Sequence, residues 1–188
     1  KYDEALRMAE KSQELDPESP IIALNLTNPY FYKKDIDKVI SMNELILDNH
    51  ANFPWSMYFL SSSYYLKGEY KNALDVFNNN NPDLSQLSYL YEAYFAACYK
   101  NGQKEKAYKL LAELLTNSDQ KYISKEVIAN IFLYLDMKEE GIYWLKKAYE
   151  ERSSNLDSIK PFLPKKYLQD PDYLEIMNKI KGSTQWAY

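Results

Sequence analysis

Five short segments, KYDEAL, DIDKVI, EYKNAL, QKEKAY and MKEEGI, begin at Lys1, Asp35, Glu69, Gln103 and Met137, each 34 residues after the one before. A chain that repeats at this period folds as a row of small units. None of them buries its apolar face alone, so stacked neighbours complete the core. With only 4 glycines in 188 residues and few runs of alternating β-branched residues, the units are read as helical hairpins. Four of the five segments place a small residue at the same point, Ala5, Ala73, Ala107 and Gly141, with Val39 the exception. Two helices must cross closely there.

Within the units, Met57, Leu60, Ser61 and Tyr64, and one period later Tyr91, Tyr94, Phe95 and Cys98, share a face by i, i+3, i+4, i+7 spacing. Ala107, Leu111 and Leu114 give the stripe of a second helix. Ser19 before Pro20 reads as an N-cap and first-turn proline, Pro54 repeats the position, and Gly68 and Gly102 close helices. The run Asn78 to Asn81 reads as a polar turn between units. Pro29 falls inside the helix expected from Pro20 to Lys33, where proline costs about 3 kcal/mol, and predicts a kink or an early break.

The period, the small residue and the spacing of the large ones resemble the tetratricopeptide repeat, whose pattern runs W-x2-L-G-x2-Y, then A-x3-F, then P. Leu60, Tyr64, Gly68, Tyr70, Ala73 and Phe77 carry the likeness best, with Met57 in place of the tryptophan; Gly102, Ala107 and Leu111 keep it one unit later. The resemblance implies an all-α, right-handed superhelical solenoid. Residues 1–19 are the second helix of an incomplete first unit, and four units follow at 20–53, 54–87, 88–121 and 122–152. Capping helices occupy 153–181 and a tail 182–188. An upstream half-repeat, and more protein, is expected before Lys1. The run GIYWLKKAYEER, Gly141 to Arg152, is similar to the last repeat of a bacterial subfamily, and the segment with Leu156, Ile159, Phe162, Leu168, Asp170-Pro171, Tyr173, Leu174 and Ile180 to its C-terminal cap. That subfamily often places the array behind a winged-helix regulator or a cyclase-like domain.

In such arrays the concave face of the first helices binds the partner. Here the resemblance assigns Leu24, Asn28 and Phe31, then Trp55, Tyr58, Ser62 and Tyr65, then Tyr89, Glu92 and Tyr99, then Glu126 and Asn130. Tyrosine and tryptophan offer large contact area with few rotatable bonds, which suits a peptide or extended protein segment. Asn28 and Asn130 can pair with a peptide backbone. Leu24, Tyr58, Glu92 and Glu126 stand where chaperone-binding relatives carry a basic clamp, so an acidic tail is disfavoured and Glu92 and Glu126 would meet a Lys or Arg of the partner. With 19 tyrosines in the chain, groove tyrosines also follow from composition alone.

With 23 basic and 27 acidic residues the net charge is −4, so no direct nucleic-acid partner is expected. One cysteine, Cys98, and one histidine, His50, leave nothing for a disulfide or a Cys/His metal site, and no cofactor is expected. Cys98 reads as a buried inert thiol, His50 as a loop residue, and the sequon at Asn25-Leu26-Thr27 as coincidence inside a helix. Adjacent carboxylates at 139–140 and 150–151 point about 100° apart and cannot act jointly as acid and base, and no phosphate loop or nucleophile elbow is present, so the chain is read as non-catalytic. No run of roughly 18 to 20 apolar residues spans a bilayer.

The reading is therefore a protein-interaction module, the sensor or scaffold part of a larger bacterial regulatory protein in the cytoplasm. Its rivals are an adapter in envelope or polysaccharide-uptake assembly, periplasmic if an upstream signal or anchor directs it there, and a small-molecule or glycan-binding part of an enzyme. Trp186 and Tyr188 lie beyond the last expected helix. They either fray or dock, on the cap or in a neighbour's groove, which leaves self-association through groove or tail open.

Overall fold

The computed structural model describes residues 2–84, 87–118, 123–151 and 161–184, and no strand occurs among them. Among the described residues ten α-helices follow one another: α1 (Tyr2–Leu15), α2 (Pro20–Lys33), α3 (Ile36–Asn49), α4 (Pro54–Leu66), α5 (Tyr70–Asn80), α6 (Tyr89–Lys100), α7 (Lys104–Asn117), α8 (Lys125–Tyr134), α9 (Lys138–Glu150) and α10 (Pro171–Thr184). A 3₁₀ turn, Lys165–Gln169, precedes α10. The chain packs as two units, Lys1–Leu90 and Tyr91–Tyr188, each with its own core.

The same helix-to-helix turn is built four times. Lys34, Gly68, Gly102 and Asp136, spaced by 34, all have positive φ, between 62° and 79°. At each, the next residue's N–H reaches back to a carbonyl five residues earlier, Asp35 to Tyr30, Glu69 to Tyr64, Gln103 to Cys98 and Met137 to Phe132. This pairing satisfies carbonyls that a helix end otherwise leaves open. Ser19 caps α2 by accepting from the Ile22 N–H, and Pro20 and Pro54 occupy first-turn positions where no N–H is missed.

In the first unit α2 packs on α1 and α3, and α4 on α3 and α5. Val39 and Ala73 are wholly buried where the helices cross, and Ser61 Oγ on α4 donates to the Ala73 carbonyl of α5 at 3.1 Å. Met57 and Leu60 of α4 and Phe77 of α5 are buried as well. Two ion pairs, Lys33 to Asp3 and Lys67 to Asp37, both 2.8 Å, recur one period apart on the surface.

In the second unit α8 packs closely on α9. A Cβ at Gly141 would lie 2.5 Å from Leu133 Cδ2, so the small residue that the repeat demands is required sterically. The cap closes this end: Leu163, Tyr167, Tyr173 and Ile176 join Ala129, Leu133, Ile142, Leu145 and Ala148 in one cluster. Asp170 Oδ1 accepts from the Asp172 and Tyr173 N–H groups and starts α10 at Pro171. Leu156 and Ile159 lie outside the described residues, as do Trp186 and Tyr188 of the tail.

Two local expectations are revised. Of the kink or early break expected at Pro29, the break does not occur, and α2 continues to Lys33. Proline removes one bond, to the Asn25 carbonyl, and Asn25 is an exposed residue that water can reach. Asn78 to Asn80 are not a turn but the last residues of α5; the Asn80 amide donates to the Val76 carbonyl, and only Asn81, with φ 43°, leaves the helix.

Candidate interaction surface

The face assigned by the repeat splits into residues that reach solvent and residues that do not. On α2, Leu24 and Phe31 are buried and Asn28 is half-buried. On α4, Ser62 is wholly buried and Tyr58 nearly so, Tyr65 is half-buried, and Trp55 stands 38% exposed. Tyr89, at the start of α6, is buried.

These side chains are covered largely by one another. Trp55 lies perpendicular to Tyr58 with centroids 6.2 Å apart, and tilted against Tyr89 at 6.0 Å. Tyr58 meets Tyr89 and Phe59, both at 5.6 Å, and Phe59 meets Phe31 edge-on at 5.2 Å. Such geometries gain about 0.5–1.5 kcal/mol per pair beyond area burial and hold the rings in place. The first unit therefore presents a rigid aromatic cluster with the Trp55 indole at its rim. Phe59 was missed by sequence reasoning. Its signal was available, since it follows Trp55 by one helical turn.

In the second unit Tyr99 is half-buried, stacked on Phe95 at 5.9 Å and flanked edge-on by Tyr134 at 5.7 Å and Tyr108 at 6.3 Å, with Lys104 Nζ 5.3 Å from its ring. Tyr108, Tyr134 and Lys104 were not among the expected contacts. Glu92, Glu126 and Asn130 are interior residues: Glu126 is wholly buried, and the Asn130 amide donates to Glu92 Oε2 at 3.2 Å. Tyr173 of the cap lies within their field; burial first, then the Glu126 and Glu92 charges, push its hydroxyl up to about 12. The carboxylates thus stand in the core of the unit beside the cap, and the Asn130 amide is already engaged.

Other singled-out residues are structural in their surroundings. Cys98 is buried, and burial pushes its thiol up to about 11, which suppresses the thiolate a nucleophile needs. Thr27 of the sequon is wholly buried and donates to the Leu24 carbonyl at 2.8 Å. His50 ends α3 and lines a cleft of about 440 Å³ with Gln13, Ser19 and Asn49. Among the described residues no group of three His, Cys, Asp or Glu side chains is placed to hold a metal ion, and no helix is long and apolar enough to cross a membrane.

No protein-family model and no curated protein sequence matches the chain. Its structure is similar to the crystal structure of TTC0263, a thermophilic TPR protein of Thermus thermophilus, with a TM-score of 0.64 and 18% identity over 83% of this chain and 86% of that one. At that identity the likeness carries the fold: the chain is an all-α array of tetratricopeptide-type hairpins.

Proposed function

We propose that the chain is a non-catalytic protein-interaction module that holds a peptide or extended protein segment against the first helices of its hairpins. The observation that carries the reading is the aromatic cluster of the first unit, which is preorganised by ring-on-ring packing and leaves the Trp55 indole at the surface. A rigid indole with few rotatable bonds loses little entropy when a partner side chain lies on it. Asn28 and Tyr65 add polar contacts along the same helices, and Tyr99 with Lys104 offers a second, separate aromatic contact. Regulatory or scaffold duty in a larger bacterial protein remains the reading that the sequence resemblance favours.

The test is selection of binding peptides from a displayed library, followed by titration of the best against Trp55→Ala, Tyr65→Ala and Tyr99→Ala, each of verified helical content. Loss of a central aromatic contact of about 2 kcal/mol weakens binding roughly thirtyfold. Unchanged affinity in Trp55→Ala removes the first-unit site. Stacking of sugars in place of peptides would favour the glycan-binding alternative.

A further inference from the structure

α4 is the first helix of its hairpin and lies inside the array. Phe31 of α2 packs on Phe59 at one side and Tyr89, at the start of α6, on Trp55 at the other, so the face that α4 keeps open is not an end of the array. Its 13 residues, PWSMYFLSSSYYL, include no charged side chain. Ser56, Ser61, Ser62 and Ser63 are all wholly buried, which leaves Pro54, Trp55, Phe59, Tyr64, Tyr65 and Leu66 as the residues that reach solvent. Tyr64 is turned to α3, where its hydroxyl donates to Glu44. Trp55 is 38% exposed, and its indole N–H makes no hydrogen bond among the described residues. An indole nitrogen donates and cannot accept. The face therefore offers flat rings and a donor at its rim, and no carboxylate or side-chain amide of α4 stands beside them.

We propose that the segment held against α4 is uncharged, rich in proline and in the polyproline II conformation, which rests on the peptide-binding reading above. The backbone of such a segment has no internal hydrogen bonds, so its carbonyls are open acceptors for the Trp55 N–H. Proline brings no N–H of its own and asks for no acceptor. An ordinary extended peptide carries an N–H at every residue and would strand some of them against the rings. Pyrrolidine rings lie flat on aromatic side chains, and the conformation exists before binding. The receiving rings are equally prepared, because Trp55 is held by Tyr58, Phe59 and Tyr89. Little ordering entropy is then lost on either side. With about three residues per turn, every third proline returns to the same side of the segment. A charged segment gains nothing here, since neither sign finds a partner on α4 and either would lose hydration against the rings.

The probe is a capped polyproline peptide of about ten residues, titrated into the isotope-labelled 188-residue chain beside a capped Gly-Ser peptide of equal length. The chain has 3 tryptophans, and the indole N–H signal that Trp55→Phe lacks identifies Trp55. That signal is expected to move with polyproline and to stay in place with Gly-Ser. Trp55→Phe keeps a ring and loses the donor, and should weaken binding about fivefold; Trp55→Ala should weaken it about thirtyfold, each with helical content checked by circular dichroism. The dissociation constant should hold steady between about 0.05 and 0.5 M salt, since no ion pair contributes. A Trp55 signal unmoved by polyproline, equal binding of both peptides, affinity untouched by Trp55→Ala, or a steep salt dependence overturns the proposal. Full affinity in Trp55→Phe overturns the indole hydrogen bond. Failure here is separable from failure of the groove reading: displayed peptides that need Trp55 but carry no proline overturn the ligand class alone, whereas best binders that ignore Trp55 overturn the first-unit site itself.

Discussion

At residues 34, 68, 102 and 136 the backbone makes one left-handed turn four times, and the chain fills it with two kinds of residue. Gly68 and Gly102 adopt it without strain and have open space around them. Lys34 and Asp136 adopt it against the clash of Cβ with the carbonyl, which costs roughly 1–2 kcal/mol for an L-residue. Lys34 is exposed and makes no ion pair among the described residues, so Lys34→Gly should remove strain alone. Offset by the extra freedom of glycine in the unfolded chain, the gain should be about 0.5–1 kcal/mol, read as a higher urea midpoint at unchanged slope. Asp136 is different because its carboxylate accepts from Lys166 and from the Tyr167 hydroxyl. Asp136→Gly relieves the same strain but cuts the cap loose, and should stabilise less than Lys34→Gly or not at all. Equal gains at both positions would mean that the Asp136 contacts contribute nothing.

Between elements, close approach and charge divide the work. α8 and α9 come together over Gly141, where a Cβ would press on the wholly buried Leu133. Gly141→Ala gains about 1 kcal/mol in helix propensity but overpacks by about 1–3 kcal/mol, so a net loss near 1 kcal/mol is expected. Leu133→Ala with Gly141→Ala should cost less than the sum of the two, because the small side chain gives the new methyl room. Strict additivity would show that Leu133 moves aside freely. Charge adds to the apolar contacts that hold the cap to α8 and α9: Lys166 beside Asp136 and Lys138 beside Asp170 hold both carboxyls below the usual carboxylate range. Carboxyls depressed in the folded state stabilise it above their unfolded value, about 3.9, and that contribution fades as pH falls through the lower folded values. Cap docking should therefore be independent of pH from neutrality down to about 4 and weaken below it. Chemical shifts of Tyr173 and Leu163 would follow the release. Asp136→Asn should flatten part of that dependence, and a step centred near pH 6 in either protein would place its origin elsewhere.

For the whole molecule, the 34-residue period made the element order legible, because spacing tells which residues share a helix and where small ones must stand. It did not tell how deeply a face is covered. Tyr58 and Tyr89 stand on the expected face, yet Tyr58 is covered by Trp55, Phe59 and Tyr89, and Tyr89 by Trp55 and Tyr58, while Glu92 and Glu126 are buried within electrostatic reach of Tyr173 in a cap whose position no periodicity encodes. The early break considered at Pro29 does not occur for a similar reason: the sequence shows the lost N–H but not that the stranded carbonyl belongs to an exposed residue. Stability in such an array is close to a sum of hairpin and nearest-neighbour contributions, so damage should stay local. Val39 is wholly buried in α3, and Val39→Ala should cost about 2 kcal/mol through the cavity it leaves. Native-state hydrogen exchange should then show reduced protection in α2 to α5, while α8, α9 and the cap, which have a core cluster of their own, keep theirs. If protection falls equally everywhere, the chain opens as one cooperative body. The energetics of its two cores would then be coupled more tightly than nearest-neighbour packing predicts, and an event at the Trp55 surface could be read out at the cap.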